Sequence, residues 1–227
     1  MRKQIGIILF ILLSVSSLNA QRTFHYSMGQ ITDNRFQALC EDSSGFLWIG
    51  TENGLNKFDG YSFTHYVHDD SDSLSLVSNY VRSLYIDLDG TLWIGTNHGL
   101  QYIRPGDRHF HTVTFSDGLM PYIQQITQFR DGRIWLAVPG HGGYWVDPDK
   151  PDLANAVVSL NTQAARWGAY RTILEDRNGT VWLGSPLGVT LYDPNTDKAS
   201  AFENIDLAGE DITGLNTDSL GHVDIST

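Results

Sequence analysis

Acidic side chains recur at one place in this sequence. Asp42, Asp87, Asp176 and Asp218 each stand three residues before a glycine, namely Gly45, Gly90, Gly179 and Gly221. A carboxylate can serve as general acid, base or nucleophile, and glycoside hydrolysis needs two of them across one site. Acids repeated at equivalent turns do not converge on one point, so capping of turn N–H groups is the expected role. His109 and His111 share a strand face, and His65 and His68 are close in sequence, but no third ligand follows at a telling spacing. Neither metal nor cofactor is therefore expected. Asp69, Asp70 and Asp72 read as a solvated loop, and no glycine-rich phosphate loop precedes a helix.

The acids belong to a repeat. Trp48, Trp93, Trp135 and Trp182 follow one another at 45, 42 and 47 residues, each three after a glycine. A fifth copy, around Gly221, has Asp224 where the tryptophan would be. Two and four residues after the glycine every copy is aliphatic, as at Leu47 and Ile49 or Leu92 and Ile94. Alternate strand residues share a face, so the intervening tryptophan points to the other side. Five after the glycine stand Gly50, Gly95, Ala137, Gly184 and Ser226, small enough to let a neighbouring sheet approach. Both faces of this strand therefore read as buried.

A strand precedes each glycine. Nine before it stand Phe36, Val81, Ile123, Tyr170 and Ile212, and six before it Leu39, Leu84, Ile126, Ile173 and Leu215. Asp89-Gly90, Asp131-Gly132 and Asn178-Gly179 are hairpin turns, because both residue types tolerate positive φ. A third strand follows at Leu55–Phe58, Leu100–Ile103, Tyr144–Val146 and Val189–Tyr192. A fourth follows at Phe63–Tyr66, Phe110–Val113 and Ala199–Phe202. Four short strands in about 40–50 residues make one blade of a β-propeller. The fold class is all-β, a propeller of four-stranded blades, incomplete at about 4.7 repeats.

Binding residues are sought where neighbours stay alike and one position varies. Eight before the glycine stand Gln37, Arg82, Gln124, Arg171 and Thr213, a polar ring that could line one face of the channel. Arg82 and Arg171 could hold a ligand carboxylate with two parallel hydrogen bonds. His141 and Trp167 interrupt the pattern and could stack on a sugar face. The candidate ligand site is thus Arg82, Gln124, Arg171, His141 and Trp167.

The 227 residues carry 15 Lys and Arg against 26 Asp and Glu, a net charge of -11. Such a chain repels phosphate backbones, which argues against nucleic acid as partner. Met1-Arg2-Lys3, an aliphatic run from Ile5 to Leu13 and a small polar stretch to Ala20 form the pattern of a cleaved export signal over residues 1–20. Residues 21–227 are the propeller portion. The lone Cys40 permits no internal disulfide and reads as a small buried hydrophobe.

Asp42, Gly45, Leu47-Trp-Ile-Gly-Thr51, Gly54-Leu55-Asn56 and Phe58-Asp59-Gly60 resemble the two-component regulator propeller repeat. So do Asp87, Gly90, Leu92-Trp-Ile-Gly-Thr96 and Gly99-Leu100. The resemblance covers about residues 33–227 and departs from the pattern at Val138–Gly142 and at Asp224. It implies the periplasmic sensor of a hybrid histidine kinase, anchored in the inner membrane and tuned to oligosaccharides. Partners would be the remainder of that kinase and a second copy in a homodimer. The chain then reads as a fragment of such a sensor, without kinase or catalysis of its own. The alternative is a secreted propeller glycoside hydrolase or lyase. Sialidase-type propellers carry the turn acid two residues before the glycine, where this chain has Ser43, Leu88, Arg130, Arg177 and Ser219.

Overall fold

The computed structural model describes residues 30–156, 170–203, 207 and 209–227. The export-signal reading over residues 1–20 and the stacking role of Trp167 lie outside the described residues.

The architecture is serial. The first sheet is β1 (Phe36–Glu41), β2 (Leu47–Thr51), β3 (Gly54–Phe58) and β4 (Phe63–Tyr66), antiparallel in that order. The second is β5 (Val81–Ile86), β6 (Leu92–Thr96), β7 (Gly99–Ile103) and β8 (His111–Thr112). The third contains β10 (Gln125–Gln128), β11 (Ile134–Val138), β12 (Gly142–Val146) and β13 (Leu153–Ala156), with β9 (Thr114–Phe115) added parallel to β13. The fourth is β14 (Thr172–Glu175), β15 (Val181–Ser185), β16 (Gly188–Asp193) and β17 (Lys198–Ala201). A hairpin of β18 (Gly214–Thr217) and β19 (Val223–Ser226) follows. These are propeller blades, and the first strands β1, β5, β10, β14 and β18 touch one another in chain order.

One expected strand is divided. Of Phe110–Val113, expected to close the second blade as a single strand, His111–Thr112 pairs with β7 and the Val113 N–H donates to the Leu100 carbonyl at 2.9 Å, whereas Phe110 lies outside the strand. Thr114 and Phe115 cross to the third blade, where the N–H of Thr114 donates to the carbonyl of Asp152 at 2.8 Å. This strand exchange ties one blade to the next.

Each hydrophobic core lies between two blades. Trp48, Leu55 and Tyr66 pack on Leu92, Ile94 and Phe110 of the second blade. Trp93 packs with Ile134 and Leu136, and Trp135 with Val181 and Leu183. Trp48, Trp93 and Trp135 are buried, whereas Trp182 is half-buried, because the hairpin against it has only two strands. At the other end Phe36 and Leu39 are 59% and 65% exposed, and they line an apolar groove of about 420 Å³ on the first blade.

The small position works as a socket. A Cβ built on Gly50 would lie 2.7 Å from a methyl of Val81, and one on Gly184 would lie 2.6 Å from a methyl of Ile212. Gly95 meets Ile123 in the same way, at 2.8 Å. The residue nine before one glycine thus seats on the residue five after the previous one.

The turn acids cap, as expected. Asp87 Oδ1 accepts from the N–H groups of Asp89 and Thr91 at 3.0 and 2.9 Å, and its Oδ2 accepts from Trp93 Nε1 at 2.8 Å. Asp42 and Asp176 hold Trp48 and Trp182 in the same way, at 2.9 and 3.0 Å. The third blade has Phe129 in place of the acid. Its ring stacks on Trp135 with centroids 4.9 Å apart, and the buried Trp135 Nε1 has no hydrogen-bond partner among the described residues. In the fifth copy His222 Nδ1 takes the tryptophan's place at Asp218, at 2.8 Å.

Two outcomes test this packing. Gly95→Val should cost about 1–3 kcal/mol in urea denaturation by overpacking. Ser226→Val, at the equivalent but exposed place, should stay within about 0.5 kcal/mol; equal losses would contradict the socket account. Half-buried Cys40 has its thiol pushed up to about 12, first by burial and then by the Asp42 charge. A raised thiol pKa means stability is fully present below the unfolded value near 9.0 and is lost as pH rises toward 12. Alkylation at pH 8.5 should be slow in the folded chain and fast in denaturant; fast labelling of the folded chain would refute the burial.

Candidate functional site

The polar positions eight before each glycine are positioned by a repeated β-bulge. Phe36 faces Thr51 and Ala38 faces Gly50, so Gln37 is an extra residue; Arg82 is extra between Val81 and Ser83. Gln124 donates its N–H to Ala137, which Gln125 already faces. Arg171 stands in the same relation to Gly184, and Thr213 to Ser226. A bulge places two residues opposite one and re-aims a side chain. This accounts for the three-residue step between the apolar positions, where a plain strand would step by two.

These bulged residues sit at the start of the first strands, beside the turns that join second to third strands. Gln37 Nε2 donates to Glu52 Oε1 at 3.2 Å, and Tyr80 Oη donates to the same oxygen at 3.0 Å. Arg35 pairs with both Asp33 and Glu52. The Arg35 hydrogen bonds hold the Asp33 carboxyl down at about 2. Arg82 donates from Nε to Asn97 Oδ1, and its guanidinium lies 4.5 Å from the Tyr80 ring centre and 4.8 Å from that of Tyr122. Arg171 donates to both oxygens of Asp211, at 3.0 and 2.7 Å. The Gln124 amide is half-buried and has no hydrogen-bond partner among the described residues. His141 is exposed on the turn after β11, with Nδ1 3.3 Å from the carbonyl of Pro139.

Arg82, Gln124 and Arg171 therefore occupy equivalent places on neighbouring blades. Arg171 is already neutralised by Asp211, so it offers no free cation to a ligand carboxylate. Sequence reasoning missed Tyr80, Tyr122 and Asp211. All three stand ten before a glycine, two residues from the ring positions, and that second variable position was the available signal. In two places the residue eight before one glycine reaches the residue ten before the next: Arg82 reaches Tyr122 and Arg171 reaches Asp211.

Residues 30–53 and 75–98 match the family model of the two-component regulator propeller. These segments are two-component regulator propeller repeats. A 75-residue stretch is 35% identical to a histidine kinase, P4, of Formosa agariphila, covering 31% of this chain and 6% of the kinase. The fold is similar to the extracellular domain of a hybrid two-component system of B. thetaiotaomicron, at 22% identity and TM-score 0.74, over 89% of this chain and 29% of that one. It is also similar to virginiamycin B lyase of Staphylococcus aureus, at 14% identity and TM-score 0.64, over 86% and 65% of the two chains. The chain thus spans less than a third of the extracellular domain it matches. At these identities the two solved structures bear on fold alone.

The blade-to-blade stitching is testable by double-mutant cycles. The Arg82–Tyr122 pair should couple by about 0.5–1 kcal/mol. The exposed Arg171–Asp211 pair should couple by less than about 1 kcal/mol and fade in 1 M salt. Zero coupling in both would show that the mouth is not held together this way.

Proposed function

We propose that this chain is a ligand-sensing or scaffold part of the extracellular, periplasmic half of a hybrid two-component sensor kinase, and that it takes an oligosaccharide at the mouth formed by the bulged residues. The observation that carries this reading is the row of bulge-aimed polar side chains flanked by Tyr80 and Tyr122. Tyrosine rings offer a flat apolar face with a polar tip, and amides and guanidinium groups supply the directional hydrogen bonds a sugar needs. Gln124 is the side chain with hydrogen-bonding capacity to spare.

A ligand at this mouth spans two or more blades. It can signal only by favouring one arrangement of the sensor over another, through differential affinity. In the kinase this reading assigns, that arrangement is passed through the membrane to the catalytic domains, either within one sensor or through a homodimer. The chain itself performs no chemistry under this reading. Asp42, Asp87 and Asp176 each spend both carboxylate oxygens on their own turn and tryptophan, which leaves none of them poised against a second acid.

Isothermal titration of the purified chain against neutral and acidic oligosaccharides tests the proposal. Binding should saturate, and Tyr122→Ala or Gln124→Ala should weaken it by about tenfold each. Unchanged affinity in both variants would remove the mouth as the site. Turnover of a glycan by the chain would favour the hydrolase or lyase alternative instead.

A further inference from the structure

The second blade leaves an arginine without a counter-ion at places where other blades supply a carboxylate. On the first blade the turn between second and third strands carries Glu52. Its N–H donates to the Arg35 carbonyl at 3.2 Å, and its side chain accepts from the bulged Gln37. On the second blade the same place holds Asn97. Its N–H donates to the Tyr80 carbonyl at 3.1 Å, and its Oδ1 accepts from the bulged Arg82. The acid of that turn is here a neutral amide. On the following blade the residue ten before the glycine is Tyr122, whereas the equivalent residue for Arg171 is Asp211, which pairs with it at 2.7 Å. The two places that are acidic beside Gln37 or Arg171 are therefore both neutral beside Arg82.

A guanidinium carries five N–H donors in one plane. Arg82 spends Nε–H on Asn97, and its Nη donors have no partner among the described residues. Arg104 and Arg108 also lack a carboxylate there, but both are exposed and water serves their donors. Arg82 is half-buried, with its guanidinium over the Tyr80 and Tyr122 rings. The Asn97 hydrogen bond and the two rings fix the direction of the Nη edge before any ligand arrives. The surrounding charges set the side from which an anion approaches. Arg35 is shared by Asp33 and Glu52, which leaves one excess negative charge on the first blade. Tyr80 stands at that charge, since its Oη donates to Glu52 at 3.0 Å. An anion on Arg82 is favoured on the opposite side, toward Tyr122 and Gln124.

We infer that Arg82 makes the mouth selective for a sugar that bears a carboxylate, held by two parallel hydrogen bonds from the Nη edge, with the sugar ring beside Tyr122 and Gln124. This rests on the reading of the mouth as the binding site. The fork of a guanidinium matches the planar edge of a carboxylate. One cation without a counter-ion suits a monoanion. A phosphate monoester or inorganic sulfate brings a second charge, which the excess at Asp33 and Glu52 opposes. The tyrosine ring offers the sugar an apolar face, and the Gln124 amide serves its hydroxyl groups. Arg171 takes no part, because Asp211 already occupies it.

Titration calorimetry of the purified chain with uronic-acid disaccharides, their methyl esters, their neutral parent sugars and sulfated disaccharides decides it. At least one uronate should bind saturably and at least about tenfold more tightly than its methyl ester, and added salt should weaken only the acid form. Arg82→Gln should weaken that uronate by about tenfold to a hundredfold and leave the ester unchanged. Arg82→Lys should fall between, because an ammonium keeps the charge and loses the fork. Arg133→Gln, at the other end of the third blade, should change neither. Equal affinity for acid and ester, or a preference for the acid that survives Arg82→Gln, would overturn the inference and leave the mouth reading standing. Tighter binding of a sulfated disaccharide than of every uronate would overturn the carboxylate assignment. Binding of none of these sugars would remove the inference and the mouth reading together. Melting temperatures of the variants within a few degrees of wild type exclude unfolding as the cause of a loss.

Discussion

The contact on which this architecture depends is the seating of one blade's first strand on the small residue of the blade before it. Gly50 receives Val81, Gly95 receives Ile123 and Gly184 receives Ile212, each at a distance that leaves no room for a Cβ. Close approach brings the tryptophan of one sheet against the aliphatic pairs of the next, and four separate cores form in series. Stability in such an array is roughly a sum of units and their interfaces. The ends differ from the middle accordingly. Phe36 has the place of a seated residue and stands exposed, and Trp182 is covered by only half a blade.

Within a blade, the carboxylate three before the glycine does the second structural task. It satisfies turn N–H groups that the hairpin cannot, and it fixes the tryptophan ring through the indole N–H. The third blade shows the cost of losing it. Phe129 restores ring packing on Trp135 but offers no acceptor, and the buried indole N–H is left unpaired. An unpaired buried donor costs on the order of 1–3 kcal/mol. The strand exchange of Thr114 and Phe115 into the same blade adds backbone hydrogen bonds there.

Repetition also separates structure from function. A residue that serves the blade recurs, and one that serves a ligand need not. The bulge recurs in every copy, yet the side chains it aims differ, and two of them, Arg82 and Arg171, reach Tyr122 and Asp211 on the following blade. Lys57 and Arg104 differ from their counterparts in charge, and each lies over aromatic rings of its own blade. The bulged mouth lies at the junctions between blades, so a ligand proposed there would bias how neighbouring sheets sit. A sensor that converts binding into a shift between arrangements needs such a link.

The sequence alone determined the repeat, the four-stranded blade, the buried tryptophan, the small socket and the capping acid, because these follow from spacing within about 45 residues. A two-residue period reports which face a side chain takes, and a glycine after an acid reports a turn. The three-residue step from Phe36 to Leu39 already held the bulge, although strand periodicity by itself does not say which residue is extra. Only the stacked sheets decided that Asp211 neutralises Arg171 and that Tyr122 covers Arg82. Those partners come from different blades. A contact of that kind is set by how two sheets pack, and a strand's own pattern records that a face is covered without recording what covers it.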